Sequence, residues 1–174
     1  MLSRRNFLKG ALACTLLYPL SDVLAAENEE RVLSMLNTHT GETLEARYYA
    51  NGAYDQEAVD RLNYILRCHY TNEVKPVDVR LLDLLCDIKD RIGRDKQIRI
   101  VSGYRSPSYN GLLRSEGHRV AKGSYHLKAR AIDFTIHGVA NHDLSRLARS
   151  FAAGGVGSYS AFVHIDTGPR RIWG

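Results

Sequence analysis

Ala131-Ile132-Asp133-Phe134-Thr135-Ile136 and, further on, Phe162-Val163-His164-Ile165-Asp166 decide how this chain folds. Both alternate with the period of two that a β-strand imposes on its side chains. In the first, Ile132, Phe134 and Ile136 form an apolar face, and Ala131, Asp133 and Thr135 form the other. In the second, Val163 and Ile165 are apolar, while Phe162, His164 and Asp166 point the opposite way. If both apolar faces cover helices, Asp133 and His164 emerge together on the remaining face.

Working outward, Val32 to Leu36 and Thr43 to Tyr49 flank Thr40-Gly41 and read as a hairpin. A helix is expected from Gln56 to His69, with Val59, Leu62, Ile65 and Leu66 on one face, and a second after Pro76 as far as Ile92, stopped by Gly93. Gln97 to Ser102 reads as a strand. A polar, glycine-containing stretch to Tyr125 holds one short helix around Asn110 to Arg114. Leu144, Leu147, Ala148 and Phe151 mark a further helix, closed by Gly154-Gly155. Helices first and strands later, with tight connections between strands, predict an α+β domain: an antiparallel sheet with helices on one face and the site on the other.

The chain has 174 residues, 44% hydrophobic and 25% charged, enough for one domain and an ordinary core. Residues 1–26 read as an export signal: Ser3-Arg4-Arg5-Asn6-Phe7-Leu8-Lys9 fits the twin-arginine pattern, followed by the apolar run Ala11 to Leu20 and small residues at Val23-Leu24-Ala25-Ala26. Residues 27–174 then form a single domain destined for the periplasm, with no membrane anchor after signal removal. The formal charge is +5, and a mild basic excess suits an anionic polymer, nucleic acid or no charged partner alike. Loss of the leader takes Cys14 and leaves Cys68 and Cys86, both placed on helices, as a disulfide or as two buried thiols.

His126 lies seven positions before Asp133, at the end of the polar loop that feeds the same strand. Two imidazoles and one carboxylate then converge, and three N/O donors with a fourth position open to water describe a catalytic zinc site. Such an ion lowers the pKa of its water to about 7 and polarises a carbonyl. Surface or core roles for the histidines, and a turn-capping role for Asp133, are the alternatives that spacing alone leaves open.

Ser124-Tyr125-His126-Leu127-Lys128-Ala129-Arg130-Ala131-Ile132-Asp133 resembles the SxHxxGxAxD ligand motif of the D-Ala-D-Ala metallopeptidases, which share a zinc fold with lysostaphin-type endopeptidases and the hedgehog signalling domain. Ser102-Gly103-Tyr104-Arg105-Ser106 is similar to the family's SGYRS element, and Phe162 to Arg170 to its closing ligand strand. The likeness to murein endopeptidases of that superfamily extends over nearly the whole mature chain, including Leu36 to Glu42 and Ala153 to Gly157. The resemblance implies Zn2+ held by His126, Asp133 and His164, and substrate binding by Arg105 and by Ser124. The implied substrate is the peptide cross-links of peptidoglycan, meso-diaminopimelate to meso-diaminopimelate links in particular, with no nucleic acid partner. Many relatives carry an acidic base three positions before the last histidine, and others a His-x-His pair; here those positions are Ala161 and Phe162. Asp166 is left as base or as a group orienting a ligand, with His118 as a weaker base candidate. Ala129 stands where the family has glycine, which asks that the position tolerate a Cβ. Tyr104, Tyr125 and Tyr159 are candidates to line the cleft. A non-catalytic murein-binding module and a carboxypeptidase are the rival functions, and the oligomeric state is left open.

Overall fold

The computed structural model describes residues 29–118 and 120–174, so the proposed leader lies outside the described residues. Strand β1 (Arg31–Asn37) pairs with β2 (Thr43–Ala50) as the expected hairpin, and a two-residue β3 (Ala53–Tyr54) extends it. Helices α1 (Gln56–Ile65) and α2 (Val79–Ile92) follow, then β4 (Ile98–Ser102) and α3 (Pro107–Ser115). A 3-10 turn (Tyr125–Lys128) leads into β5 (Ala131–Ile136), followed by α4 (Asn141–Ser150), β6 (Gly155–Ser158), β7 (Val163–Asp166) and β8 (Arg171–Trp173).

The eight strands form one sheet in the order β3-β2-β1-β4-β5-β7-β6-β8. The sheet is mixed, which corrects the antiparallel expectation: β1 runs parallel to β4, and β6 parallel to β8. The first parallel pair arises because α1 and α2 carry the chain back across the sheet before β4 begins, the long crossover that parallel neighbours need. The α+β class stands. Leu33, Met35, Ile98, Ile100, Ile132, Phe134, Val163 and Ile165 share one continuous core with Leu62, Leu81, Leu85 and Ile88 of the first two helices and Leu144 and Ala148 of α4. That core occupies one face of the strands, so period two sends Asp133 and His164 to the other.

Several ends differ from the sequence reading, each for a local reason. Helix α1 stops at Ile65 rather than His69, because Asn37 Nδ2 donates to the Ile65 carbonyl and the Tyr104 amide to the Leu66 carbonyl. Cys68 therefore sits beyond the helix; it and Cys86 are both buried free thiols. Helix α3 is longer than expected, since Ser106 Oγ accepts the Tyr109 amide and Pro107 occupies the first turn. After α4 the left-handed residues are Ala152 and Gly154, whereas Gly155 opens β6.

Asp78 fastens this frame to the loop that carries the site. Its carboxylate caps α2 by accepting the Arg80 amide, accepts Thr167 Oγ1 at 2.8 Å and pairs with Arg130 at 3.3 Å. Hydrogen bonding by Arg80, joined by Thr167 and opposed by burial, holds its pKa down at about 2. A depressed carboxyl stabilises above its unfolded pKa and loses that stabilisation as pH falls through the folded value. Asp78→Asn should therefore lower the unfolding free energy by about 1 kcal/mol at neutral pH. In denaturant titrations the gap to wild type should close as pH falls from about 4 towards 2.

Candidate metal centre

The antiparallel pairing of β5 and β7 sets Asp133 directly opposite His164. Cross-strand partners bring their Cβ atoms to about 5 Å, so the two side chains meet without further adjustment. His126 arrives from the 3-10 turn, whose cap is Ser124: its Oγ accepts the His126 amide at 3.3 Å. The turn ends at Ala129 in the left-handed region, with φ 50. More than a Cβ is therefore tolerated there: an L-residue adopts a conformation that glycine takes without steric cost. The Ala129 amide and carbonyl are both used, the latter by the Asp78 amide.

Three atoms converge. His126 Nε2 lies 3.2 Å from Asp133 Oδ1 and 3.2 Å from His164 Nδ1, and the last two are 2.7 Å apart. A triangle with these sides has a circumradius of about 1.8 Å, so a point about 2.1 Å from all three corners exists, the usual Zn–N and Zn–O distance. The outward-facing nitrogens decide the tautomers. His126 Nδ1 donates to the Gly103 carbonyl at 2.7 Å, and His164 Nε2 donates to Asp166 Oδ2 at 3.0 Å. A carbonyl only accepts, so His126 Nε2 presents a lone pair inward, and neutral His164 does the same through Nδ1. Two lone pairs and a carboxylate oxygen this close repel one another unless a proton or a cation lies among them, and the donor set suits a divalent ion with affinity for imidazole and carboxylate. Among the described residues these three form a group that can hold a metal.

The surrounding charges are arranged to keep that set together. His126 is 2% exposed and Asp133 3%. Burial pushes the His126 pKa down against the pull of Asp133, which keeps the ring neutral. Burial also opposes ionisation of Asp133, but the two histidines outweigh it and hold the carboxyl far below its ordinary range. For His164 burial is again the opposing effect, and Asp133 and Asp166 together lift the imidazole above its usual value. Arg105 Nη2 donates to Asp133 Oδ2 and its Nε to Ser102 Oγ, at 2.8 Å for the second.

The group floors a cleft of about 930 Å³. Arg105, Ser124, Tyr125, Tyr159 and His118 all line it, whereas Tyr104 is 7% exposed and belongs to the core instead. Asp166 is fully buried: besides His164 it accepts the Gly155 and Gly168 amides and the Arg171 guanidinium. The side chains of Ala161 and Phe162 offer no proton acceptor, and Phe162 packs at a tilt against Tyr159, 4.7 Å between centroids, to form an apolar wall. Four participants escaped the sequence reading. The Gly103 carbonyl and Ser102 sit in a quoted motif but act through backbone or hydroxyl contacts that no pattern reports. Arg171 and Trp173 lie beyond the last strand read from the sequence, although Arg171-Ile172-Trp173 alternates like the strand it is.

Comparison with known sequences points to one family. A family model described as peptidoglycan L,D-endopeptidase MepK matches residues 25–173. The protein of that name from Escherichia coli (strain K12) is 43% identical over 145 residues, 82% of this chain and 80% of the relative. A probable peptidoglycan L,D-endopeptidase MepK from Haemophilus influenzae is 38% identical over 146 residues, 82% of this chain and 78% of the relative.

Because a left-handed alanine costs about 1–2 kcal/mol and glycine's freedom in the unfolded chain returns part of that, Ala129→Gly should raise stability by up to about 1 kcal/mol. Denaturant unfolding of the two proteins checks it. A clear loss of stability would mean that the methyl group's packing outweighs the backbone strain.

Proposed function

The chain belongs to the peptidoglycan L,D-endopeptidase MepK family, and from that premise we propose that it is a zinc-dependent murein endopeptidase acting on meso-diaminopimelate–meso-diaminopimelate cross-links. It is a peptidoglycan endopeptidase and so a hydrolase. The single observation that carries the zinc assignment is the triangle of His126 Nε2, Asp133 Oδ1 and His164 Nδ1, with sides of 2.7 to 3.2 Å. Peptidoglycan lies outside the cytoplasmic membrane, so the enzyme works there; the twin-arginine segment around Arg4 and Arg5 supports a periplasmic location.

When bound, zinc supplies Lewis acidity, polarising the scissile carbonyl and making hydroxide available near neutral pH. The protein's own groups do the rest. Asp133 contributes a full negative charge and the histidines neutral donors, a set that leaves the site cationic with the ion in place. Gly103 and Asp166 hold the two rings in the tautomer and orientation that ligation needs. Arg105 locks Asp133 from the far side and keeps part of its guanidinium edge towards the cleft, where it orients an acidic peptide. Ser124 keeps the His126 turn in shape at the cleft wall. Asp166, enclosed by four partners, orients His164 rather than collecting a proton from the cleft.

Defined muropeptide dimers analysed by mass spectrometry test the proposal. Wild type should cut the cross-link, lose activity to a chelator and regain it with zinc, while His164→Ala stays at background. Intact dimers in every reaction would leave a non-catalytic murein-binding module, and loss of only a terminal residue would make the protein a carboxypeptidase. Asp166→Asn should fold and bind zinc about 10- to 100-fold more weakly in a competition titration. Unchanged affinity would remove the orienting role.

A further inference from the structure

Strand order places the three donors between two guanidinium groups. The triad sits on β5, β7 and the turn before β5; Arg105 follows β4 on one side, and Arg171 lies on β8 at the opposite edge.

Arg171 reaches the centre because β6 lacks side chains there. In the parallel register Gly155 lies beside Arg171 and Gly157 beside Trp173. A Cβ on Gly155 would come within 3.0 Å of Arg171 Cζ, and one on Gly157 within 2.6 Å of the Trp173 indole. Two glycines thus open a gap through which both β8 side chains cross β6 towards His164 and Asp166. Arg171 donates to Asp166 through Nη1 at 3.2 Å and Nη2 at 2.7 Å, and its guanidinium lies 4.8 Å from the Tyr125 ring centroid and 5.2 Å from that of Trp173. Held on three sides, it still has 40% side-chain exposure and lines the cleft. Nη1 also donates to the Pro169 carbonyl, but Nε has no partner among the described residues. Among the described residues the one carboxylate lining the cleft is Asp133, already enclosed by Arg105 and the two imidazoles. The described lining therefore offers cationic donors, with its one carboxylate already paired.

Resting on the endopeptidase reading above, we propose that Arg171 anchors a substrate carboxylate on the β8 side of the metal centre, opposite Arg105, so that the enzyme selects peptides with a free acid there. A fixed, stacked guanidinium loses little freedom on binding, and its planar fork matches a carboxylate. Tyr125 and Trp173 hold that plane in place.

Trp173 is the chain's single tryptophan, so its fluorescence reports occupancy without any cleavage. The probe is a single meso-diaminopimelate stem peptide, which has no cross-link to cut, as the free acid and as its carboxamide, added to zinc-loaded protein. Wild type should bind the acid about tenfold more tightly than the amide, the order expected of one charge-assisted contact. Arg171→Gln should bind both at the amide's affinity, and Arg171→Lys should keep part of the preference. Zinc affinity should fall much less in both variants than in Asp166→Asn, because the Gly155 and Gly168 amides still hold Asp166. An acid preference that survives Arg171→Gln, or a loss of zinc affinity in that variant comparable with Asp166→Asn, would overturn the anchor and leave Arg171 as a support for Asp166. Dimer cleavage run in parallel separates the two readings. Binding with an Arg171-dependent preference but no cleavage removes the endopeptidase and keeps the anchor, whereas cleavage without the preference does the reverse.

Discussion

The register between β5 and β7 is the constraint on which the centre depends. Side chains alternate along a strand, so pairing Asp133 with His164 while Phe134 meets Val163 commits one face to the core and the other to chemistry. A slip of one residue would bury His164 and expose Val163, losing the donor and the core contact together. The hydrophobic core, one continuous cluster beneath the sheet, thus fixes the placement of the polar group above it. Stability and function share the same pairing.

Burial gives the centre its character. A carboxylate at 3% exposure is costly unless charge and hydrogen bonds compensate it, and Asp133 has an imidazole on each side with a guanidinium behind. The far nitrogens of both rings are held in turn, one by a backbone carbonyl and one by Asp166, which Arg171 and two amides hold. The chain of contacts runs from the β8 edge through Asp166 and His164 to Asp133 and Arg105, and each member restricts the next. Such a network has few alternative arrangements, which is what a site needs if its donors are to stay in place when the ion leaves.

Much of this is written plainly in the residues. Alternation in Ala131–Ile136 and Val163–Asp166 yields both strands and their faces, and the spacing of His126 and Asp133 brings the donors to one place once the strands pair. The hairpin and the existence of all four helices among the described residues were likewise legible. The parallel pairings were not, because the sheet order depends on how α1 and α2 pack, information spread over the whole core. Strand β6 hid behind Gly155 and Gly157, which lack the side chains whose alternation marks a strand; they are glycine because Arg171 and Trp173 pass over them. The early end of α1 at Ile65 depends on Asn37 and Tyr104, partners far away in sequence. Motif residues announce themselves, but groups that act through a backbone carbonyl or across a neighbouring strand do so only in three dimensions.

The most direct measurement is an anomalous difference map at the zinc edge from crystals grown with the metal. The account predicts one peak about 2.0–2.2 Å from His126 Nε2, Asp133 Oδ1 and His164 Nδ1, with a fourth, non-protein ligand facing the cleft. A peak lodged elsewhere, or one bound through Asp166 with the triad vacant, would contradict it.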